Sequence, residues 1–210
     1  INRLTKSLGF VTKVGVRIER DYKQLLEVTE EQFKVLEDLE INEKTIVRGY
    51  AGTGKTVLAT EIARRLEKNG KKVLLLFYNR LIAKKVARSF DRDSGITCTR
   101  FFKFAKSVIE QADPGWWSSN FRKDENFWEE DAPLKLVSLS SNEIERFDAI
   151  IIDEGQDFKS DWFEYLESLL VISEDSRFVV FYDEHQDVFG RWSDLPWGEK
   201  CAARKQLAEN

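Results

Sequence analysis

Residues 49–56 constrain the fold of this chain more than any other stretch. They read Gly-Tyr-Ala-Gly-Thr-Gly-Lys-Thr and match the phosphate-binding pattern GxxxxGK[ST] at every required position. Glycines let backbone N–H groups approach phosphate oxygens with no Cβ in the way, and a helix that begins there presents its positive end to an anion. In this pattern the lysine neutralises the β- and γ-phosphates and the final hydroxyl binds Mg²⁺. The predicted phosphate-binding residues are therefore Gly49, Ala51, Gly52, Thr53, Gly54, Lys55 and Thr56, with Thr56 also a metal ligand.

Short apolar strand patterns alternate with amphipathic helix patterns on both sides of this loop. The predicted strands cover residues 45–50, 73–78, 96–99, 149–152 and 177–182. We expect residues 177–182 to form the final strand. Such alternation favours an α/β fold with a parallel sheet covered by helices on both faces. A chain of 210 residues has room for one main domain of this kind, with an insertion.

Two carboxylates directly follow one of the predicted strands. Asp153 and Glu154 come after three isoleucines, at the carboxyl end of a strand, where ligands of open α/β sheets bind. This pair can divide the work of nucleotide hydrolysis: Asp153 binds Mg²⁺, and Glu154 orients and deprotonates the attacking water. A second acid in this role favours hydrolysis over transfer of phosphate to a substrate hydroxyl.

The charge is unevenly distributed along the chain. Residues 64–106 hold 13 Lys and Arg against 3 Asp and Glu, although the net charge of the whole chain is -4. Aromatic residues are interspersed among these cations, a mixture that binds phosphates and stacks bases. A solvated helix face beside core aromatics gives the same pattern. The acidity of the whole chain argues against a dedicated nucleic-acid coat protein.

Membrane insertion and disulfide bonding are not expected from the composition. No apolar run reaches the ~18 residues that a membrane helix needs. The two cysteines, Cys98 and Cys201, are too few for a disulfide framework, and neither has a Cys or His at metal-ligand spacing. We therefore expect a cytoplasmic protein with no membrane contact.

The ordered motifs resemble those of superfamily 1 helicases of the UvrD/Rep kind. Residues 153–157 read Asp-Glu-Gly-Gln-Asp and are similar to the DExxQ-type box of that family, and residues 49–56 are similar to its first motif. The resemblance implies a first RecA-like lobe that uses ATP and Mg²⁺ to step along single-stranded DNA or RNA. One departure is Gly155, which stands where alanine is commoner in the family.

Two glutamines occupy positions at which the family contacts nucleotide. Gln32 lies upstream of the phosphate loop, where the family's glutamine reads adenine, but with Thr29 it also fits a helix capping box. Gln186 follows the strand of the third motif, where the resemblance implies a contact with the γ-phosphate or its attacking water. The candidate catalytic residues are then Lys55, Glu154 and Gln186.

Two further motifs imply contact with a nucleic-acid strand. Residues 77–80 resemble the motif in which an asparagine at a strand end binds the single strand, and residues 97–102 lie where a motif with a threonine and aromatics is expected. The residues implied in strand contact are Asn79, Arg80, Thr99 and Phe102.

The resemblance also implies how the chain is organised. Residues 29–210 would form the ATP-binding lobe, with an aromatic-rich insertion at about 107–146 that includes an irregular stretch at about 112–142. Residues 1–28 would connect to a missing upstream region, which the resemblance implies is nuclease-related. The second RecA-like lobe, which supplies an arginine finger in the family, would be absent, so the isolated chain is expected to hydrolyse ATP poorly. The aromatics of the insertion form either a satellite core or a base-stacking surface.

Two other functions remain open at the level of sequence. A nucleotide-dependent regulatory switch would hydrolyse slowly and would not respond to single strands. A small-molecule phosphotransferase would not depend on Glu154 as a water activator. The glutamines at 156 and 186 favour the helicase interpretation.

Overall fold

A computed structural model of the chain describes residues 30–124, 126–139, 144–183 and 203–207. The strands are β1 (Lys44–Arg48), β2 (Val73–Phe77), β3 (Ile96–Arg100), β4 (Ala149–Asp153), β5 (Arg177–Tyr182) and β6 (Ala203–Gln206). The α-helices are α1 (Glu30–Ile41), α2 (Lys55–Lys68), α3 (Arg80–Ala87), α4 (Phe101–Ala112), α5 (Trp116–Asn120), α6 (Ala132–Ser138) and α7 (Ser160–Ser168). A π-helical turn (Phe127–Asp131) and a 3₁₀ turn (Gly155–Asp157) complete the set.

The six strands form one sheet in the order β3-β2-β4-β5-β1-β6, and every pair is parallel. This confirms the predicted α/β fold of the RecA-like, P-loop type. The expectation that residues 177–182 form the final strand is wrong, because β6 pairs with β1 at the edge of the sheet. Its sequence, Ala-Arg-Lys-Gln, carries no apolar run, so the pattern that predicts a buried strand does not detect it.

Side chains of the central strands alternate between two cores, because successive residues of a strand point to opposite faces. In β4, Ile150 and Ile152 pack on one face, with α4 and α7, whereas Ala149 and Ile151 pack on the other, with α1, α2 and α3. All five residues of β4 are buried, as expected for a parallel strand with helices on both sides. The all-apolar runs that predicted these strands reflect this double burial.

The aromatic insertion is helical rather than irregular. It contains α5, the π-helical turn and α6, and its Trp117 and Phe127 are buried in the same core as the sheet face beneath them. Their rings lie 5.1 Å apart at an interplanar angle of 87°. The insertion therefore extends the main core through these two rings rather than forming a satellite core of its own.

Parallel strands place all their carboxyl ends at one edge of the sheet. The phosphate loop follows β1, Asp183 follows β5, and Asp153 ends β4, so these three groups meet at that edge with β5 in the middle. Within the described residues, none of the helices has the length and apolar character that crossing a bilayer requires.

Candidate nucleotide-binding site

The phosphate loop leaves β1 in a backbone conformation that only glycine adopts readily. Gly52 and Gly54 have φ of 85° and 87°, in the left-handed region. Gly49 is needed for a different reason, since a Cβ there would lie 2.5 Å from Thr53 Oγ1. That hydroxyl donates to the Tyr50 carbonyl at 2.8 Å and closes the loop on itself. The glycine spacing of the motif thus corresponds to specific steric requirements.

The loop ends at the N-terminus of α2, where no side chain accepts from the first N–H groups as a cap. Its N-cap is Gly54, no side chain caps the helix, and no acidic residue occupies its first turn. Most natural helices place Ser, Thr, Asp or Asn there to accept the first N–H groups. Leaving those N–H groups and the positive end of the helix dipole available suits a phosphate.

Lys55 points back into the loop and is almost fully buried. Its Nζ donates to the carbonyl oxygens of Gly49 at 2.7 Å and Tyr50 at 3.0 Å, and forms an ion pair with Asp183 Oδ2 at 3.1 Å. The side chains of Lys55 and Asp183 are 6% and 1% exposed. A buried ammonium is stable only when it is paired, so Asp183 compensates the charge of Lys55.

Thr56 and Asp153 are in direct contact. The Thr56 hydroxyl donates to Asp153 Oδ2 at 2.6 Å, across 97 residues of sequence. Burial raises the pKa of Asp153 to about 7; the Thr56 hydrogen bond opposes this shift and the Glu154 charge adds to it. The other oxygen, Oδ1, is buried and has no hydrogen-bond partner among the described residues.

This oxygen pair fits the ligand preference of Mg²⁺. That ion binds through one or two protein oxygens and completes its shell with water and substrate phosphates. An orphaned carboxylate oxygen with a raised pKa is the kind of group that a divalent cation would stabilise in its charged form. Thr56 and Asp153, the metal ligands predicted from sequence, therefore fit the group chemically.

Glu154 has an unusual backbone conformation, with φ 58° and ψ 52°. It is the only described residue other than glycine with positive φ. Such conformations are strained for ordinary residues and cluster at functional sites. The two neighbouring carboxylates have different partners: Asp153 accepts from Thr56, and Glu154 accepts from Gln156.

Gln156 links the acidic pair to the end of β5. Its Nε2 donates to Glu154 Oε2 at 2.6 Å, and its Oε1 accepts from the backbone N–H of Asp183 at 3.1 Å. The side chain is buried, and both ends of its amide are satisfied. A continuous set of contacts therefore joins Glu154, Gln156, Asp183 and Lys55.

Comparison with known proteins identifies the family of the chain. The family described as "Schlafen group 3, DNA/RNA helicase domain" matches residues 42–204. The chain belongs to this family. No curated protein matches it.

Two solved structures resemble this chain. The Pif1 helicase from Candida albicans superposes with a TM-score of 0.52 at 20% identity, over 86% of this chain and 40% of that one. AMPPCP-bound DnaA from Aquifex aeolicus gives a TM-score of 0.45 at 16% identity, over 85% and 45%. The chain thus spans less than half of each of these proteins, and the likeness to the first supports the RecA-like fold.

The residues predicted to contact a strand fall into two groups in this structure. Arg80 and Thr99 line an open groove. Asn79 is exposed and is the N-cap of α3, where its Oδ1 accepts from the N–H groups of Leu81 and Ile82. Phe102 is 9% exposed and packs on the Trp162 ring at 5.6 Å. Most of the Phe102 side chain is therefore in the core, and its contact with a strand stays a prediction.

Two predicted nucleotide contacts lie outside the described part of the chain. These are Gln186 and the side chain of Gln32, although residue 32 itself belongs to α1.

Two features of the site were not predicted from the sequence: the Lys55–Asp183 ion pair and the bridging role of Gln156. The bridging role of Gln156 had one signal in the sequence. An amide stands inside the acidic box, at a position where hydrolysis needs no further acid.

Proposed function

We propose that this domain is the ATP-binding and hydrolysing lobe of a superfamily 1 helicase or single-strand translocase. The observation that carries the proposal is the contact of Thr56 Oγ1 with Asp153 Oδ2 at 2.6 Å, beside the buried Lys55 ammonium. Three groups for a nucleoside triphosphate and its metal thereby share one edge of the sheet.

In this proposal the triphosphate lies along the phosphate loop. The N–H groups of the loop and of the first turn of α2 bind its β- and γ-phosphate oxygens, and the Lys55 ammonium neutralises their charge. To do so, Lys55 must exchange part of its present contact with Asp183 and the loop carbonyls for contact with phosphate. Thr56 and Asp153 would hold Mg²⁺, which supplies charge neutralisation at the phosphates when bound.

Hydrolysis requires a base beside the γ-phosphate, and Glu154 is the proposed base. Gln156 occupies its Oε2, which leaves Oε1 to accept a proton from the attacking water. The same amide accepts from the backbone N–H of Asp183. A shift of Asp183 when Lys55 binds phosphate would therefore be transmitted to Glu154 through the side chain of Gln156. Gln156 is therefore a positioning residue in this scheme.

The partner that the motifs favour is a single strand of DNA or RNA. Asn79 and Arg80 follow the end of β2, and Thr99 lies near the end of β3, so all three are at or near the carboxyl edge of the sheet and are proposed to contact the strand. The order of motifs favours the UvrD/Rep kind of superfamily 1. A second RecA-like lobe that closes over the nucleotide belongs to the same proposal.

The first test concerns Lys55. A Lys55→Ala variant should lose at least about tenfold in affinity for ATP·Mg²⁺, because the phosphates lose their buried countercharge. Isothermal titration calorimetry measures the affinity, and circular dichroism checks the fold, since Asp183 is left unpaired. Lys68→Ala is the matched control, an exposed lysine in the last turn of the same helix. Equal ATP binding by wild type and Lys55→Ala would contradict the site.

The second test concerns Glu154 in the intact protein that carries this domain. Single strands should stimulate ATP hydrolysis, and Glu154→Gln should lower the stimulated rate by about 10²–10⁴-fold while nucleotide binding is retained. Glu164→Gln, an exposed acid on α7, is the control. No response to single strands would indicate a regulatory switch instead, and a rate independent of Glu154 would indicate a phosphotransferase.

A further inference from the structure

A groove of about 830 Å³ runs along α3 and β3. Since β3 is the end strand of the sheet, its outer edge pairs with no other strand in the part of the chain that is described. We call it the β3-edge groove and define it by the six cationic side chains that line it: Arg80, Lys84, Arg88, Arg92, Arg100 and Lys103.

The charge of the β3-edge groove is uncompensated. No acidic residue is among the described residues that line it, and none of its six cations forms an ion pair within the described ranges. Asp91 and Asp93 flank Arg92 in sequence, but neither lines the groove. Like charges gathered in a concave surface focus the field and attract anions.

Three of the cations form a row on one wall. Arg80, Lys84 and Arg88 are spaced four residues apart, which places them on the same side of α3. At 1.5 Å per residue the row is about 12 Å long. Arg100 and Lys103 face it from the end of β3 and the first turn of α4. A linear row of cations suits a linear polyanion better than a compact ligand.

The groove also has a direction. Helix α3 starts at the end of β2, at the carboxyl edge of the sheet, and the chain then returns to the start of β3 at the opposite edge. Arg80 and Arg100 therefore lie at the edge where strand contact is proposed, and Arg88 and Arg92 lie toward the other edge. The groove continues from the proposed strand site.

We propose that a nucleic-acid strand leaves the carboxyl edge of the sheet through the β3-edge groove, which binds its phosphates through Lys84, Arg88 and Arg92. This inference rests on the proposed function and extends it to residues outside the motifs. Recognition is by backbone charge and is independent of base sequence. The aromatic residue in the lining, Phe90, has the Arg64 guanidinium over its ring at 5.2 Å, so it is poorly placed to stack bases.

The test is the salt dependence of binding. Fluorescence anisotropy of a labelled oligothymidylate, measured with the chain over a series of NaCl concentrations, gives the slope of log K against log salt. Loss of two phosphate contacts in Arg88→Gln/Arg92→Gln should reduce that slope by about 1.4 and weaken binding on the order of tenfold at 0.1 M salt. Arg88→Lys/Arg92→Lys keeps the charge and should restore most of the slope.

The control is Lys85→Gln/Lys123→Gln, which removes the same charge from two exposed positions outside the groove. An equal reduction of the slope in the control and groove variants, or an unchanged slope in the groove variant, overturns the proposal. The groove cations would then serve to keep the exposed edge of β3 from pairing with another strand. Equal competition by polyglutamate or by a hairpin duplex also overturns a single-strand path. Absence of any oligonucleotide binding by the wild-type chain contradicts the strand contact of the proposed function itself.

Discussion

At the scale of single residues, Gly155 has a steric explanation. A Cβ at this position would lie 2.4 Å from Val180 Cγ1 and 3.3 Å from the Phe181 carbonyl oxygen. Its departure from the alanine commoner in helicases of the UvrD/Rep kind therefore reflects the valine on the neighbouring strand β5. The close contact of Gly155 and Val180 keeps β5 near the acidic box, and Gln156 joins that box to the end of β5.

We predict that Gly155→Ala destabilises the fold by about 1–3 kcal/mol through overpacking. Because Val180→Ala removes the clashing methyl groups, the double variant should be more stable than the sum of the two single changes predicts, by at least about 0.5 kcal/mol. Urea unfolding of the four proteins measures this coupling. Additive free energies would contradict the steric pairing of these positions.

At the scale of elements, Asn79, the N-cap residue of α3, has two candidate roles. Asn79 Oδ1 caps the helix through two N–H groups, at 2.8 Å from Leu81 N and 3.3 Å from Ile82 N. The same side chain is exposed at the edge where strand contact is proposed. Capping explains its presence without any ligand, so the two roles must be separated by measurement.

Asn79→Ala should lower the free energy of unfolding by about 1 kcal/mol, whereas Asn79→Ser, which also accepts N–H groups, should lower it by less. If Asn79 contacts a strand, both variants should also bind a single-stranded oligonucleotide more weakly than wild type. Thermal unfolding and anisotropy distinguish the two effects. Wild-type affinity in both variants would leave capping as the only role.

At the scale of the whole molecule, the insertion is part of the domain core. Trp117 is 5% exposed, and Lys106 Nζ lies over its ring at 5.6 Å from the centroid. Phe121, by contrast, is 41% exposed on the same aromatic cluster. The insertion therefore stabilises the lobe through its buried rings, with Phe121 at the rim.

We predict that Trp117→Ala destabilises the domain by about 3–5 kcal/mol, the loss typical of a large buried aromatic. Phe121→Ala should have a smaller effect on stability and none on affinity for a single strand. Denaturant unfolding and oligonucleotide titration measure both. Weaker strand binding by folded Phe121→Ala would instead support a base-stacking role for the rim.

Strands β1 to β5, the phosphate loop and the acidic box could be predicted because each is encoded in consecutive residues. Apolar runs predicted β2, β4 and β5, and a helix follows the phosphate loop as its motif requires. The polar strand β6 and the short helices of the insertion escaped, because their sequences lack a clear period and their pairing or packing partners lie far along the chain.

The sequence by itself determined that a phosphate loop, a carboxylate pair and alternating strands are present. Only the tertiary structure decided that Lys55 pairs with Asp183, 128 residues away, and that Gln156 joins Asp183 to Glu154. It also assigned Phe102 to the core and placed six cations around one groove. These contacts depend on strand order and on which face each side chain occupies, and no local pattern of residues encodes either.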